Sequence, residues 1–247
     1  MKKLSKGFTL VELLVVIGIL GILMGALFPA ISAAMLSAQT NAMAMRGRNL
    51  FVAITQCNVD RESLGLAEVW PQTEPADKND QSGDIASKGA TSTTDFFNYL
   101  FSMKTSDGSG QYGTAEWDPY VNADVSCVSG SGVPGLSGKE FTKDNIAWLV
   151  CKNIQSELAD VIPVFVSRNV DFSAINGTLT KYDGTTTTKV KLGTQYATPF
   201  GDKAFVLVRK GGGTQVIKSR YSRFDVIFNR QGFDNTALDN KPELMDL

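Results

Sequence analysis

The most constraining feature of this chain is the absence of any charged side chain between Glu12 and Arg46. Within that stretch, the 26 residues at 13–38 contain nothing more polar than serine. About 20 consecutive apolar residues suffice for a helix to cross a bilayer, so residues 13–38 are predicted to span a membrane. An ionisable group costs roughly 2.5 to 3.5 kcal/mol at the bilayer centre, which makes Glu12 a candidate functional residue.

The residues before this apolar stretch are short and basic. Lys2, Lys3 and Lys6 precede Gly7. An ordinary secretory signal has an apolar core of about 7 to 15 residues, with its small-residue cleavage site after the core. Here the apolar stretch is longer and the glycine precedes it. A simple signal anchor accounts for the lysines and the apolar stretch but not for Glu12.

The junction between the basic and apolar parts has a specific sequence. The string Lys6-Gly7-Phe8-Thr9-Leu10-Val11-Glu12, followed by an apolar helix, resembles the class III signal of type IV pilins and type II secretion pseudopilins. The resemblance covers residues 1 to about 57. It implies that a prepilin peptidase cuts between Gly7 and Phe8 and methylates the new amine of Phe8. It also implies that Glu12, the fifth mature residue, neutralises the terminal amine of a neighbouring subunit during assembly.

The predicted helix contains small residues and one proline at informative positions. Gly21-x-x-x-Gly25 matches the small-xxx-small pattern that lets membrane helices pack closely, although Gly and Ala are also common in such helices. Pro29 removes one helical hydrogen bond and is predicted to kink the helix. Alanines at a spacing of four extend the small-residue stripe: Ala26, Ala30, Ala34, Ala38 and Ala42.

Three segments are predicted from these patterns. Residues 1–7 form a leader peptide, residues 8–57 a long N-terminal helix with its membrane span at about 13–38, and residues 58–247 an exported globular head. The basic leader is expected to remain in the cytoplasm under the positive-inside tendency. The predicted fold class is α+β, with the long membrane-spanning helix packed on an antiparallel β-sheet head, as in pilins.

The head shows helical patterns first and strand patterns later. A short helix is predicted in the segment 95–101 with Thr94 or Asp95 as its N-cap, and a second one, capped by Thr142, reaches Leu158. Asn176-Gly177 is typical of a two-residue hairpin turn. The predicted strands cover 161–166, 170–175, 178–182, 185–192, 204–210, 214–221 and 224–228.

Composition excludes several kinds of chemistry. The chain has no histidine, which excludes Ser-His-Asp and Cys-His catalysis and His-ligated zinc. Its three cysteines, Cys57, Cys127 and Cys151, form no CxxC pair. A disulfide between Cys127 and Cys151 is predicted, because the preceding loop can return Cys127 to the segment that carries Cys151.

Charge also limits the partners and cofactors of the chain. The formal net charge is −1, which argues against nucleic-acid binding by a broad basic surface. Some pseudopilins bind calcium in a head loop, but no EF-hand spacing occurs here, and turn formation explains the acidic residues better. The aspartates in turn-like sequence are Asp118, Asp124, Asp183, Asp202, Asp234 and Asp239.

Taken with the resemblance, these patterns indicate a structural filament subunit rather than an enzyme. The expected partners are prepilin peptidase, identical or related pilin subunits, an inner-membrane assembly platform and the lipid bilayer. The expected location is the bacterial inner membrane, with the head exported, and then the filament. A type IV pilus and a type II secretion pseudopilus both fit. The alternative is a single-pass anchored adhesive or binding module, such as one for carbohydrate.

Overall fold

The computed structural model describes residues 9–63, 65, 68–73, 91–102, 130–134 and 141–247. The chain divides into two compact units, Met1–Gln39 and Thr40–Leu247. Helix α1, Leu10–Ser63, supplies residues to both units. It passes Cys57, the predicted end of the N-terminal helix, and continues to Ser63.

In the first unit, α1 exposes its apolar side chains. Leu14, Ile22 and Phe28 are among the exposed large apolar residues between Leu10 and Met35. Within the described part of the chain, α1 is the one helix that is long and apolar enough to cross a membrane. An apolar surface of this kind requires an apolar environment, because burial in lipid removes it from water.

The second unit is built on a five-stranded antiparallel sheet, with the order β5-β4-β2-β1-β7. A second, two-stranded ladder joins β3 to β6. Strand β2 is the middle strand of the large sheet and is fully buried. The strands are β1 Trp148–Lys152, β2 Pro163–Ser167, β3 Lys181–Tyr182, β4 Ala204–Arg209, β5 Thr214–Lys218, β6 Phe233–Asp234 and β7 Glu243–Leu244.

The C-terminal half of α1 packs on one face of this sheet. Its buried residues recur at alternating spacings of four and three, which is the pattern of a helix with one apolar stripe. A Cβ at Gly47 would lie 2.7 Å from Trp148 Cη2 and 2.8 Å from Val208 Cγ2, so the helix backbone approaches β1 and β4 closely. The stripe consists of Met43, Gly47, Leu50, Ile54 and Cys57.

The predicted α+β architecture, a long N-terminal helix packed on an antiparallel sheet, is therefore confirmed. The predicted short helix is present as α2, Thr93–Ser102, but the N-cap predicted at Thr94 or Asp95 is wrong because both residues lie inside the helix. Ser92 caps it, because Ser92 Oγ accepts from the backbone nitrogen of Asp95 at 3.1 Å. The hairpin predicted around 204–221 is formed by β4 and β5.

The helix predicted after Thr142 is wrong. Thr142 starts a turn, in which its Oγ1 donates to Asn145 Oδ1 at 2.7 Å, and strand β1 follows. Four consecutive residues of β1 are buried, since both faces of the sheet are covered. A continuous apolar run of this kind fits both a buried strand and a helix, and the helical spacing was misleading.

The strand predicted at 170–175 and the Asn176-Gly177 hairpin are also wrong. Helix α3, Phe172–Leu179, occupies this segment. The side chain of Asp171 caps it by accepting from the backbone nitrogen of Ala174, and Ile175 and Leu179 form its buried face. An N-cap followed by apolar residues four apart outweighed the local turn preference of Asn-Gly.

Two further predicted strands differ from the structure. The segment 185–192 makes only isolated bridges, Val170 with Leu192 and Lys189 with Arg223. The segment 224–228 forms the short helix α4, Phe224–Ile227, after a 3₁₀ turn at Ser219–Tyr221. Beta-branched and aromatic residues favoured strands in both segments, but packing decides such short elements.

Candidate functional site

Glu12 lies in the first turn of α1 and forms a reciprocal hydrogen-bond pair with Thr9. The backbone nitrogen and Oγ1 of Thr9 both donate to Glu12 Oε2 at 2.8 Å. The backbone nitrogen of Glu12 donates in turn to Thr9 Oγ1 at 3.3 Å. This arrangement is a capping box, which satisfies backbone donors that a helix N-terminus leaves unpaired.

The capping box leaves part of the carboxylate available. Glu12 Oε2 accepts both bonds from Thr9, and no described residue donates to Oε1. The side chain therefore holds one oxygen at the helix terminus and presents the other outward. A carboxylate at a helix N-terminus is also favoured by the helix dipole. The arrangement is able to pair with a cation brought by another molecule.

Sequence analysis missed the capping box, although the signal was present. Thr9-x-x-Glu12 before an apolar stretch is the sequence pattern of such a box. The predicted cleavage residues Gly7 and Phe8 lie outside the described residues.

The N-terminal sequence was compared with models of protein families. Residues 2–28 match the prokaryotic N-terminal methylation motif. The chain carries the prepilin-type motif of type IV pilins and pseudopilins. No curated protein and no solved structure matches the chain. The resemblance inferred from the string around Gly7 is therefore confirmed.

The prepilin-type motif indicates which kind of protein the N-terminal segment resembles. It supports a pilin-like or pseudopilin-like subunit and implies processing by prepilin peptidase and assembly with related subunits. The motif is typical of structural pilin subunits rather than of an enzyme family. The motif and the one apolar helix together fit a single-pass, membrane-anchored pilin.

Downstream of the prepilin-type motif, α1 continues through Pro29 without a break. Pro29 lacks the N–H that would donate to the carbonyl of Gly25, which is why a kink is expected here. The kink itself remains a prediction. A Cβ at Gly18, Gly21 or Gly25 would meet no atom within 4 Å. Packing within the described chain therefore does not require glycine at these three positions. This is the result expected if the glycines serve contacts with other helices.

Two of the turn aspartates in the head already have several hydrogen-bond partners within the described chain. Asp183 accepts from the backbone nitrogens of Thr185 and Thr186, both at 2.8 Å, and these bonds lower the pKa of its carboxyl group. Asp234 pairs with Lys181 at 2.5 Å, which together with Thr236 lowers its pKa. Both carboxylates act in turn formation, as predicted for this set.

The predictions about metal binding and about the disulfide concern other residues of the head. Across the described ranges, no group of three or more His, Cys, Asp or Glu side chains is placed to hold a metal ion. Cys151 is a buried thiol on β1, and burial raises its pKa. Its predicted partner Cys127 lies outside the described residues, as do Asp118 and Asp124, so the disulfide remains a prediction.

Proposed function

We propose that this chain is a structural subunit of a type IV pilus-like filament or type II secretion pseudopilus. Prepilin peptidase cuts it between Gly7 and Phe8 and methylates the amine of Phe8. The mature chain then enters the filament through its N-terminal helix. The observation that supports this most directly is the prepilin-type motif on a helix whose first turn presents Glu12 outward.

Glu12 would act by pairing with the amine of Phe8 in a neighbouring subunit. Cleavage creates an ammonium group at the head of an apolar helix, where an unpaired charge is costly. Within one chain, Glu12 Oε2 is already engaged by Thr9, one residue from the new terminus. The outward Oε1 provides an acceptor for an ammonium supplied by a second helix. Such a pair satisfies both charges and fixes the axial register of the two helices.

The proposed location follows from the same segment. The subunit resides in the inner membrane before assembly, with the basic leader in the cytoplasm and residues 58–247 exported. Residues 13–38 cross the bilayer and later form part of the filament core. An inner-membrane assembly platform would move the subunit from one environment to the other. Both environments are apolar and are compatible with the exposed apolar side chains of α1.

The proposal is tested by following the full chain into sheared filaments. Replacing the residue before the proposed cut, Gly7→Leu, should leave the chain in the membrane with its leader attached and absent from the filament fraction. Gly177→Ala is the control, because Gly177 lies in the head and a Cβ there meets no atom within 4 Å. If the Gly7→Leu chain enters filaments with its leader retained, the proposed processing and assembly route is wrong.

A further inference from the structure

Exposed cations gather at one end of the large sheet. Ala204 and Lys218 form the last pair of the β4–β5 ladder, and Ser219 N donates to Lys203 O at 2.8 Å just beyond it. Lys203 and Lys218 therefore lie next to each other on neighbouring strands. Arg220 follows in the 3₁₀ turn, and the side chains of Lys203, Lys218 and Arg220 are all exposed.

A second segment of the chain adds two lysines to this end of the sheet. Val190 N donates to Ser222 O at 2.6 Å, and Ser222 Oγ donates to Val190 O at 2.9 Å, so this segment lies beside the 3₁₀ turn. Val190 is buried, whereas Lys189 and Lys191 on either side of it are exposed. The contact with Ser222 therefore holds both lysines at the same end of the head as Lys218.

The five cations outnumber the carboxylates next to them. Across the described ranges, no salt bridge joins any of the five to an acidic side chain. Two carboxylates are their neighbours, because Asp202 precedes Lys203 and Asp171 N donates to Lys191 O at 2.9 Å. Asp171 is also engaged as the cap of α3. Five cations beside two carboxylates leave this end of the head positively charged.

Tyr221 adds an aromatic ring to the same surface. Among the described residues after Val59, it is the one exposed large apolar or aromatic side chain, with an exposed fraction of 48%. Arg220 Cζ lies 4.7 Å from the centre of its ring. Tyrosine is enriched at membrane–water interfaces, where lysine and arginine place their charges among the headgroups. This surface, called the basic end below, consists of Lys189, Lys191, Lys203, Lys218, Arg220 and Tyr221.

The basic end lies where α1 enters the head. A Cβ at Gly212, in the β4–β5 turn, would lie 3.2 Å from Phe51 Cε1, and a Cβ at Gly47 would lie 2.8 Å from Val208 Cγ2. Followed from Phe51 back to Gly47, α1 therefore runs from the hairpin turn toward the basic end. The helix continues for about 10 Å from Gly47 to Thr40, which is most of the length of β4 beyond Val208.

Thr40 brings this end of the head close to the predicted membrane span. It is the first residue of the second unit, and in the sequence it follows the span at 13–38 by two residues. Two residues of chain extend over at most about 7 Å. The opposite end of the sheet has the other charge, since Glu157 and Asp160 are exposed there and Asp160 O accepts from Gly211 N at 3.0 Å. The positive end is therefore the end next to the bilayer.

We propose that the basic end binds the anionic phospholipid headgroups of the bilayer that α1 spans. Lysine and arginine side chains are attracted to an anionic membrane surface within about 8 Å at physiological salt. Because α1 tethers the head, even a weak contact is populated. The head then lies on the bilayer before assembly and leaves it when the subunit enters the filament. The inference rests on the membrane anchoring in the proposed function, and not on processing or assembly.

The contact is tested by lysine acetylation of the full chain in lipid nanodiscs that hold one copy each. Discs of phosphatidylcholine alone are compared with discs that also contain phosphatidylglycerol, and mass spectrometry gives the acetylation rate of each lysine. Lys203 and Lys218 should react about fivefold more slowly in the anionic discs, and high salt should remove this difference by screening. Lys241, exposed beyond the other end of β1, should react equally in both kinds of disc.

Three results of this comparison would overturn the inference. They are equal rates at Lys203 and Lys218 in the two kinds of disc, an equal slowing at Lys241, and a slowing that persists in high salt. Slowing that appears only in discs with two or more copies would assign the basic end to the carboxylates of a neighbouring chain, and would overturn the lipid contact as well.

A charge reversal tests which residues make the contact. Lys218→Glu should reduce the slowing at Lys203 and Lys191 by roughly half, because one attractive charge becomes repulsive. Lys241→Glu is the matched control, since it reverses an exposed lysine away from the basic end, and it should leave the slowing unchanged. Each rate in anionic discs is divided by the rate of the same variant in phosphatidylcholine discs, so differences in intrinsic reactivity cancel. Equal effects of the two reversals would contradict the inference.

The inference and the proposed function fail differently. Absence of the slowing in a chain whose mature form begins with N-methylated Phe8 rejects the lipid contact and leaves the proposed function intact. A chain that shows the slowing but keeps residues 1–7 in cells supports the lipid contact and contradicts the proposed function.

Discussion

At the scale of single residues, Glu12 has two separable properties. Its Oε2 caps α1 through Thr9, and its negative charge is the property assigned to pairing with Phe8 of a neighbour. Capping needs only a hydrogen-bond acceptor, whereas neutralising an ammonium needs a charge. Substitutions at this position distinguish the two.

Glu12→Gln should retain the cap, because a glutamine carbonyl accepts from Thr9 N as the carboxylate does. Because the charge is lost, we expect Glu12→Gln to lower the amount of this chain in filaments nearly as much as Glu12→Ala does. Membrane insertion and leader removal should stay normal. The amount of mature chain in sheared filaments is the measurement. Thr9→Ala is the matched variant, which loses the cap at a cost of about 1 kcal/mol and keeps the charge. Wild-type assembly of Glu12→Gln would show that the charge is dispensable.

Asn176 is a second residue whose role is visible only in the structure. Asn176→Ala should lower the free energy of unfolding of the full chain in detergent by about 1–3 kcal/mol, because Leu244 N and O lose their partners. Asn49→Ala, at an exposed position on α1, should change it by no more than about 0.5 kcal/mol. Equal effects of the two substitutions would contradict the assignment of Asn176 to the sheet edge.

At the scale of elements, the contact between α1 and the sheet depends on the absence of a side chain at Gly47. The buried positions of α1 between Met43 and Cys57 follow a helical stripe that is readable in the sequence. The need for glycine at position 47 was not readable, because it arises from Trp148 and Val208 about a hundred residues and more downstream. Long-range packing of this kind has no local signature.

Gly47→Ala should destabilise the chain by about 1–3 kcal/mol, because its Cβ would overlap Trp148. The same substitution at Gly177, in α3, meets open space and should stabilise the chain by up to about 1 kcal/mol through helix propensity. Thermal unfolding of the two full-length variants in detergent is the comparison. A Gly47→Ala chain as stable as the Gly177→Ala chain would show that α1 does not approach the sheet this closely.

The presence or absence of a local sequence signature also explains which elements could be predicted from the sequence. The β4–β5 hairpin has two short strand-like runs on either side of three consecutive glycines, and both strands were predicted. Strand β1 is buried on both faces and has no alternation, so its apolar residues at 146–150 fitted a helix equally well. Helix α3 carries an N-cap in Asp171 that the Asn176-Gly177 turn signal obscured.

At the scale of the whole molecule, the two ends of the chain differ in how much their sequence reveals. The string from Lys6 to Glu12 specified the processing motif, because cleavage and methylation depend on a short local sequence. The order of the strands in the head and the face of the sheet that α1 covers depend on pairing between distant segments. Neither property is local, so both could be identified only from the structure.

The central claim is that this chain is a processed prepilin-type subunit. Mass spectrometry of the N-terminal peptide, taken from the full chain isolated from membranes, tests it most directly. The account predicts a mature chain that begins with N-methylated Phe8 and lacks residues 1–7. A chain that retains Met1 through Gly7, or one cut after the apolar segment near Ala38, would contradict it.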